Sequence, residues 1–253
     1  MLKFTKKIRL ILLRENKFSG FLLYGLGEII LVVIGILIAL NINNWNEVNK
    51  NQKIEKDYLV GMLEDSENNL EKSKDVINRI EEMVPIMLGL LEQSALDKVT
   101  ISVDSLNFAF SYLSDMPAYS STDRIYNNLI GSGDLKLIRN NELKTILADY
   151  YKSLFIINLV QNTHESELVE SFQPYILEHL DFQAVHSYSV EGFELPQPVE
   201  NDIILNVVHD RKFRNIITLK YTILTDLLDL YRGLEEINKS LVDLLKSLTS
   251  EKK

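Results

Sequence analysis

Apolar positions divide this chain into one uninterrupted run and several periodic stripes. Ile29 to Leu40 reads IILVVIGILIAL, and Phe21, Leu22, Leu23, Tyr24, Gly25, Leu26 and Gly27 extend it backwards. At 1.5 Å per residue, Phe21 to Leu40 covers about 30 Å, the hydrocarbon thickness of a bilayer. The pattern predicts a transmembrane helix over 21–43. Later apolar runs such as Leu154 to Val160 are too short to cross again, so a single pass is expected.

Beyond this run the period is helical. The series Ile216, Lys220, Ile223, Leu227, Leu230, Leu234, Ile237, Leu241, Leu244, Leu248 alternates steps of four and three, broken only by Lys220. That repeat predicts a long helix lying along a partner in coiled-coil fashion, with Asp210 as N-cap. A second stripe, Leu143, Ile146, Leu147, Tyr150, Leu154, Ile157 and Val160, follows a cap at Asn140 or Asn141 and runs toward Pro174, which should end or kink it. A third begins near Asn46 and passes through Tyr58, Leu59, Met62, Leu63, Leu70, Ile77, Ile80, Val84, Met87 and Leu91, with a kink expected at Pro85. Short helices at about Val103 to Leu113 and Asp123 to Ile130 should connect these.

Breaks fall at Ser94 to Thr100, Ser114 to Ser121, Gly131-Ser132-Gly133 and Asp181 to Asn201. No alternation of β-branched and polar residues appears. The expected fold is therefore all-α: an N-terminal transmembrane helix followed by an elongated extracytoplasmic helical bundle over 44–253, as one domain or two.

Charge orients the span. Lys3, Lys6, Lys7, Arg9, Arg14 and Lys17 precede it, opposed only by Glu15, so the positive-inside rule places residues 1–20 in the cytoplasm. Tyr24 and Trp45 supply interfacial aromatics at its two ends. The run ends without an A-x-A pattern, which reads as an uncleaved signal anchor. The formal charge is −9, and the basic groups concentrate before the span, leaving the rest strongly acidic; nucleic acid is not an expected partner. There is no cysteine, hence neither disulfide nor thiolate metal site.

Candidate chemistry is sparse. Glu28 lies among membrane apolar residues, where an ionisable group suggests function. It shares a helical face with Val32, Gly35 and Ala39, small enough to let another transmembrane helix approach, either a second copy or an envelope partner; alternatively Glu28 snorkels to the interface. His164, Glu167 and His179 form the best trio for a metal, but HESE lacks the second histidine of H-E-x-x-H, and no metal or cofactor is expected. Gly131-Ser132-Gly133-Asp134 reads as a helix C-cap, since no Gly-Lys-Ser or Gly-Lys-Thr follows to hold a phosphate. The expected interaction surface lies near Tyr119 to Tyr126, or at the 181–201 loop.

The blocks ENKFSGFLLYGLGEIILVVIGILIALNINNWNE and SGDLKLIRNNELKTILADYY resemble the two hallmark blocks of a family of uncharacterised bacteroidete membrane proteins. The resemblance implies a single-pass bacterial inner-membrane protein of unknown function and transfers no catalytic residue. The reading is an envelope interaction, scaffold or ligand-sensing module bound to the lipid bilayer. The alternative is an envelope enzyme whose site assembles from distant residues.

Overall fold

A computed structural model describes residues 18–187 and 201–250. The basic segment before the span and most of the 181–201 loop, two of the regions singled out above, lie outside the described residues. All regular structure among those described is helical, with no strand. By contacts the chain forms two units, residues 1–57 and 58–253.

The anchor and the first long stripe belong to one element. α1 runs Phe18–Ala95, 78 residues, through the asparagine-rich stretch Asn41 to Asn51 and past the start expected near Asn46. Asparagine is only a mediocre helix former, so Asn41 to Asn51 does not break the helix as glycine or proline would. Pro85 lies inside α1 as well. Its ring faces solvent, where the carbonyl released four residues earlier, that of Glu81, can be hydrated. In the first unit every large apolar side chain from Ile29 to Leu40 is exposed, and α1 is long and apolar enough there to cross a membrane.

The second unit has a continuous apolar core. α2 (Val103–Ser111) is capped by Ser102, whose side chain accepts from Ser105 N–H, and passes into a 3-10 turn, Tyr112–Ser114. α3 (Arg124–Gly131) ends where Gly133 takes φ 74°, the left-handed value that glycine adopts at little cost, so Gly133 and not Gly131 makes the turn. α4 (Asn141–Glu167) starts at Asn140, whose Oδ1 accepts from Leu143 N–H at 2.7 Å. It ends in a π turn, Leu168–Phe172, and α5 (Gln173–His179) follows with proline in its first turn. The helical backbone therefore continues past Pro174 to His179, and the proline, expected to end or kink the helix, does not end it; the wider turn lies just before it. α6 (Phe182–Ser187) and α7 (Asn201–Val208) lead to α8 (Arg211–Ser250), where Asp210 Oδ1 accepts from Lys212 N–H at 3.2 Å.

α8 buries more than the expected seam. Besides Ile216, Lys220, Ile223, Leu227, Leu234 and Leu241, the residues Ile217, Leu224, Leu228, Tyr231, Asn238, Val242 and Leu245 are buried, a stripe too broad for one partner helix. Packing on several neighbours replaces the narrow coiled-coil contact.

α1 and α3 meet where glycine removes a side chain. A Cβ at Gly61 would sit 2.9 Å from both Cγ1 and Cδ1 of Ile125, and Ile125 N–H is held by Asp65 Oδ2 at 2.9 Å, so the isoleucine cannot simply withdraw. Gly61→Val is expected to destabilise the chain by about 2 kcal/mol through overpacking, read as a lower urea midpoint. An unchanged midpoint would show that α3 rides freely on α1.

Candidate functional site

The register break in the last helix becomes its most unusual contact. Lys220 is fully buried, and its Nζ lies 2.7 Å from His164 Nε2 while also donating to the main-chain carbonyl of Asp115. The Phe172 ring stands 5.7 Å away, over the ammonium. α8 supplies the lysine, α4 the histidine and the π turn the aromatic face. A buried charge is costly, so the lysine favours its neutral form. Burial lowers its pKa to about 7, partly opposed by Asp115.

His164 is equally buried, and burial together with the neighbouring ammonium drives its pKa down to about 3. A neutral imidazole accepting from Lys220 at Nε2 carries its proton on Nδ1. That Nδ1–H has no partner, leaving an unsatisfied donor in the core. Near pH 7 such a lysine has the basicity of a general base or nucleophile, but Lys220 is sealed from solvent and holds the segment at Asp115 instead.

Asp115 joins this pair to the surface. Its carbonyl faces Lys220, whereas its carboxylate accepts from Arg79 Nε at 3.0 Å and Nη2 at 2.6 Å. Arg79, Phe108, Tyr112, Asp115 and His186 contribute to the wall of a cavity of about 360 Å³ beside that ion pair.

A second polar network holds the next stretch of chain. Asn69 on α1 donates to Thr122 O at 3.0 Å and to Tyr150 Oη at 3.0 Å, and its Oδ1 accepts from Thr122 N–H at 2.7 Å. Gln161 on α4 treats Tyr119 likewise, accepting its N–H at 3.0 Å and donating to its carbonyl at 3.4 Å. Two carboxamides therefore satisfy main-chain groups of a segment without secondary structure, a strand-like pairing made by side chains. Tyr119 itself is only 5% exposed, and its ring lies 6.1 Å from that of Tyr231. Tyr126 is partly buried and stacks on Tyr151 at 3.7 Å. Tyr119 is thus buried and Tyr126 half-buried, and burial raises both phenol pKa values.

Glu28, Val32 and Ala39 are exposed on α1, and a Cβ at Gly35 would meet nothing within 4 Å, so this face is open to a neighbour. The trio His164, Glu167 and His179 does not converge. His164 is taken by Lys220, Glu167 accepts from Ser171, and His179 pairs with Glu178 at 3.7 Å. Among the described residues no group of three His, Cys, Asp or Glu is placed to hold a metal. Asp134, at the end of the SGD segment, accepts from Tyr58 and Ser132, each at 2.9 Å. Lys220 was visible in the sequence only as a break in an apolar register, and Asn69 and Gln161 gave no signal there, since helix patterns count apolar positions.

Residues 28–168 match a family described as a family of unknown function, DUF6090. No curated protein and no solved structure matches the chain.

Proposed function

We propose, from the premise that this chain belongs to the DUF6090 family of unknown function, that it is a single-pass anchored module of the bacterial inner membrane whose helical bundle binds a partner outside the cytoplasm. The observation carrying this reading is the exposure of the apolar side chains from Ile29 to Leu40 all around α1, while the same helix contributes Leu59, Met62, Ile80, Met83 and Met87 to a closed core. Such an exposed run in water would cost more than a small domain's whole stability, so lipid is the medium that suits it. The open face at Glu28, Val32, Gly35 and Ala39 then serves contact with a second span, as a homo-oligomer or with an envelope partner.

The six basic residues before Phe21 give the orientation of this reading. With alkaline phosphatase fused after Lys253, the full chain is expected in the membrane fraction, resistant to carbonate extraction, with the phosphatase active. An active cytoplasmic reporter at the same position would reverse the orientation. Release by carbonate would remove the anchor.

A further inference from the structure

α4 and α8 leave a groove on their outer side that combines an aliphatic strip with carboxylates. Its floor is Ile146, Ile237 and Leu244, aliphatic residues only partly buried against the core. Its rim is Glu142 and Asp149 on one helix, Glu236 and Asp243 on the other, and the volume is about 630 Å³. All four carboxylates are exposed and none makes an ion pair among the described residues. The cations of this part of α8 are engaged elsewhere: Arg232 with Glu81, Lys239 with Glu235 and Lys246 with Glu67. Four like charges therefore border an apolar strip, with no ion pair among the described residues to compensate them.

The spacing suits a helix. Glu142, Ile146 and Asp149 recur at four and three residues, as do Gly233, Glu236 or Ile237, Ser240 and Asp243 or Leu244. From Gly233 to Leu244 the groove is about 16 Å long, or roughly three helical turns. An occupant with aliphatic residues along one stripe would cover Ile146, Ile237 and Leu244, and lysine or arginine on both flanks would reach the carboxylates. An acidic or neutral helix would leave those charges repelled or partly desolvated without partners.

We infer that this groove docks a basic amphipathic helix of a partner protein. The inference rests on the binding-module reading and supplies its recognition chemistry: aliphatic contact for affinity, charge for partner choice and encounter rate.

The test uses the full chain in phosphatidylcholine nanodiscs and a fluorescent synthetic peptide of about 14 residues, leucine on one helical face and lysine elsewhere, followed by anisotropy. Saturable binding is expected, weakening with salt. Asp149→Lys/Glu236→Lys/Asp243→Lys should weaken it at least tenfold, while Glu71→Lys/Glu82→Lys/Glu92→Lys, an equal charge change on exposed positions of α1, should change it less than twofold. Gly233→Trp keeps every carboxylate; a Cβ there meets nothing within 4 Å, so the indole can fold over the groove and should also weaken binding. The inference is overturned by absence of binding, by equal losses in the two triple variants, or by equal affinity for a peptide with serine in place of leucine. Any of these leaves the anchored orientation intact, because the phosphatase fusion reports on that separately.

Discussion

Replacing both members of the buried pair, Lys220→Met with His164→Leu, is expected to remove most of the chain's pH dependence of stability between pH 7 and 9.5. In the folded state Lys220 titrates at about 7, against the usual value near 10.5, because burial disfavours its charge. Over that window the unfolded chain binds a proton that the folded chain does not. Stability therefore rises with pH from about 7 and is held down in full below 7. A shift of this size corresponds to on the order of 5 kcal/mol between the limits. His164 acts in the same direction further down: its folded pKa of about 3 lies below the ordinary histidine value, so stability falls again as the pH drops from about 6.5 toward 3. The upper limit of the window is set by the buried tyrosines. Burial raises the pKa of Tyr119, Tyr150 and Tyr231, which makes stability decline once the pH passes 10. Urea unfolding of the detergent-solubilised chain at pH 5, 7, 8.5 and 9.5 measures this. A native midpoint that stays flat from pH 7 to 9.5 would mean that Lys220 reaches water or an acid in solution.

The double replacement is preferred to either single one. The double variant and Lys220→Met both leave the Asp115 carbonyl without its donor, but Lys220→Met alone also orphans His164 Nε2, and an unpaired buried acceptor costs about 1–3 kcal/mol. Replacing a buried polar pair by apolar groups of similar volume is often neutral or stabilising. The pair is thus a poor source of stability, and its placement behind the Arg79–Asp115 ion pair makes it one of the points where the 115–123 segment is coupled to α4 and α8, beside Gln161 and Tyr231 at Tyr119.

What was legible in the sequence follows from what a periodic pattern can report. Asp210 and Asn140 announced two helix starts because a cap is a local feature, with the side chain reaching an N–H two or three residues on. The register of α8 was equally plain, though its breadth was not, because the number of neighbours around a helix is a tertiary property. On α1 the expected stripe placed Leu70 inward, whereas Asp65, Ser66, Asn69 and Ser73 are the buried residues of those turns. A polar side chain on an inward face looks like a defect in the pattern unless its partner is known, and the partners Thr122 and Tyr150 lie more than fifty residues away. The same reason hid Tyr119. A proline-containing stretch without periodicity reads as exposed loop, but Asn69 and Gln161 satisfy its main chain and allow it to be buried.

Asn69 should therefore be among the most sensitive positions of the second unit. Asn69→Leu keeps the volume and removes both halves of the carboxamide, so Thr122 N–H and C=O and the Tyr150 hydroxyl lose partners at once. With about 1–3 kcal/mol for each buried group left unsatisfied, partly relieved by neighbouring donors such as Lys72, which already reaches Thr122 Oγ1 at 2.8 Å, the loss should be about 3 kcal/mol. Gln161→Leu removes the equivalent pairing at Tyr119, as well as the acceptor for the Tyr231 hydroxyl. Because both carboxamides clamp one short segment, the double variant should lose less than the two singles added together: once one clamp is gone the segment has already loosened, and the second has less left to release. Urea midpoints give the sum, and amide exchange at Tyr119 and Thr122 gives the location. Full additivity with unchanged exchange at Tyr119 in Asn69→Leu would mean that the segment is held at two independent points, and a loss below about 0.5 kcal/mol would mean that water replaces the carboxamide without penalty.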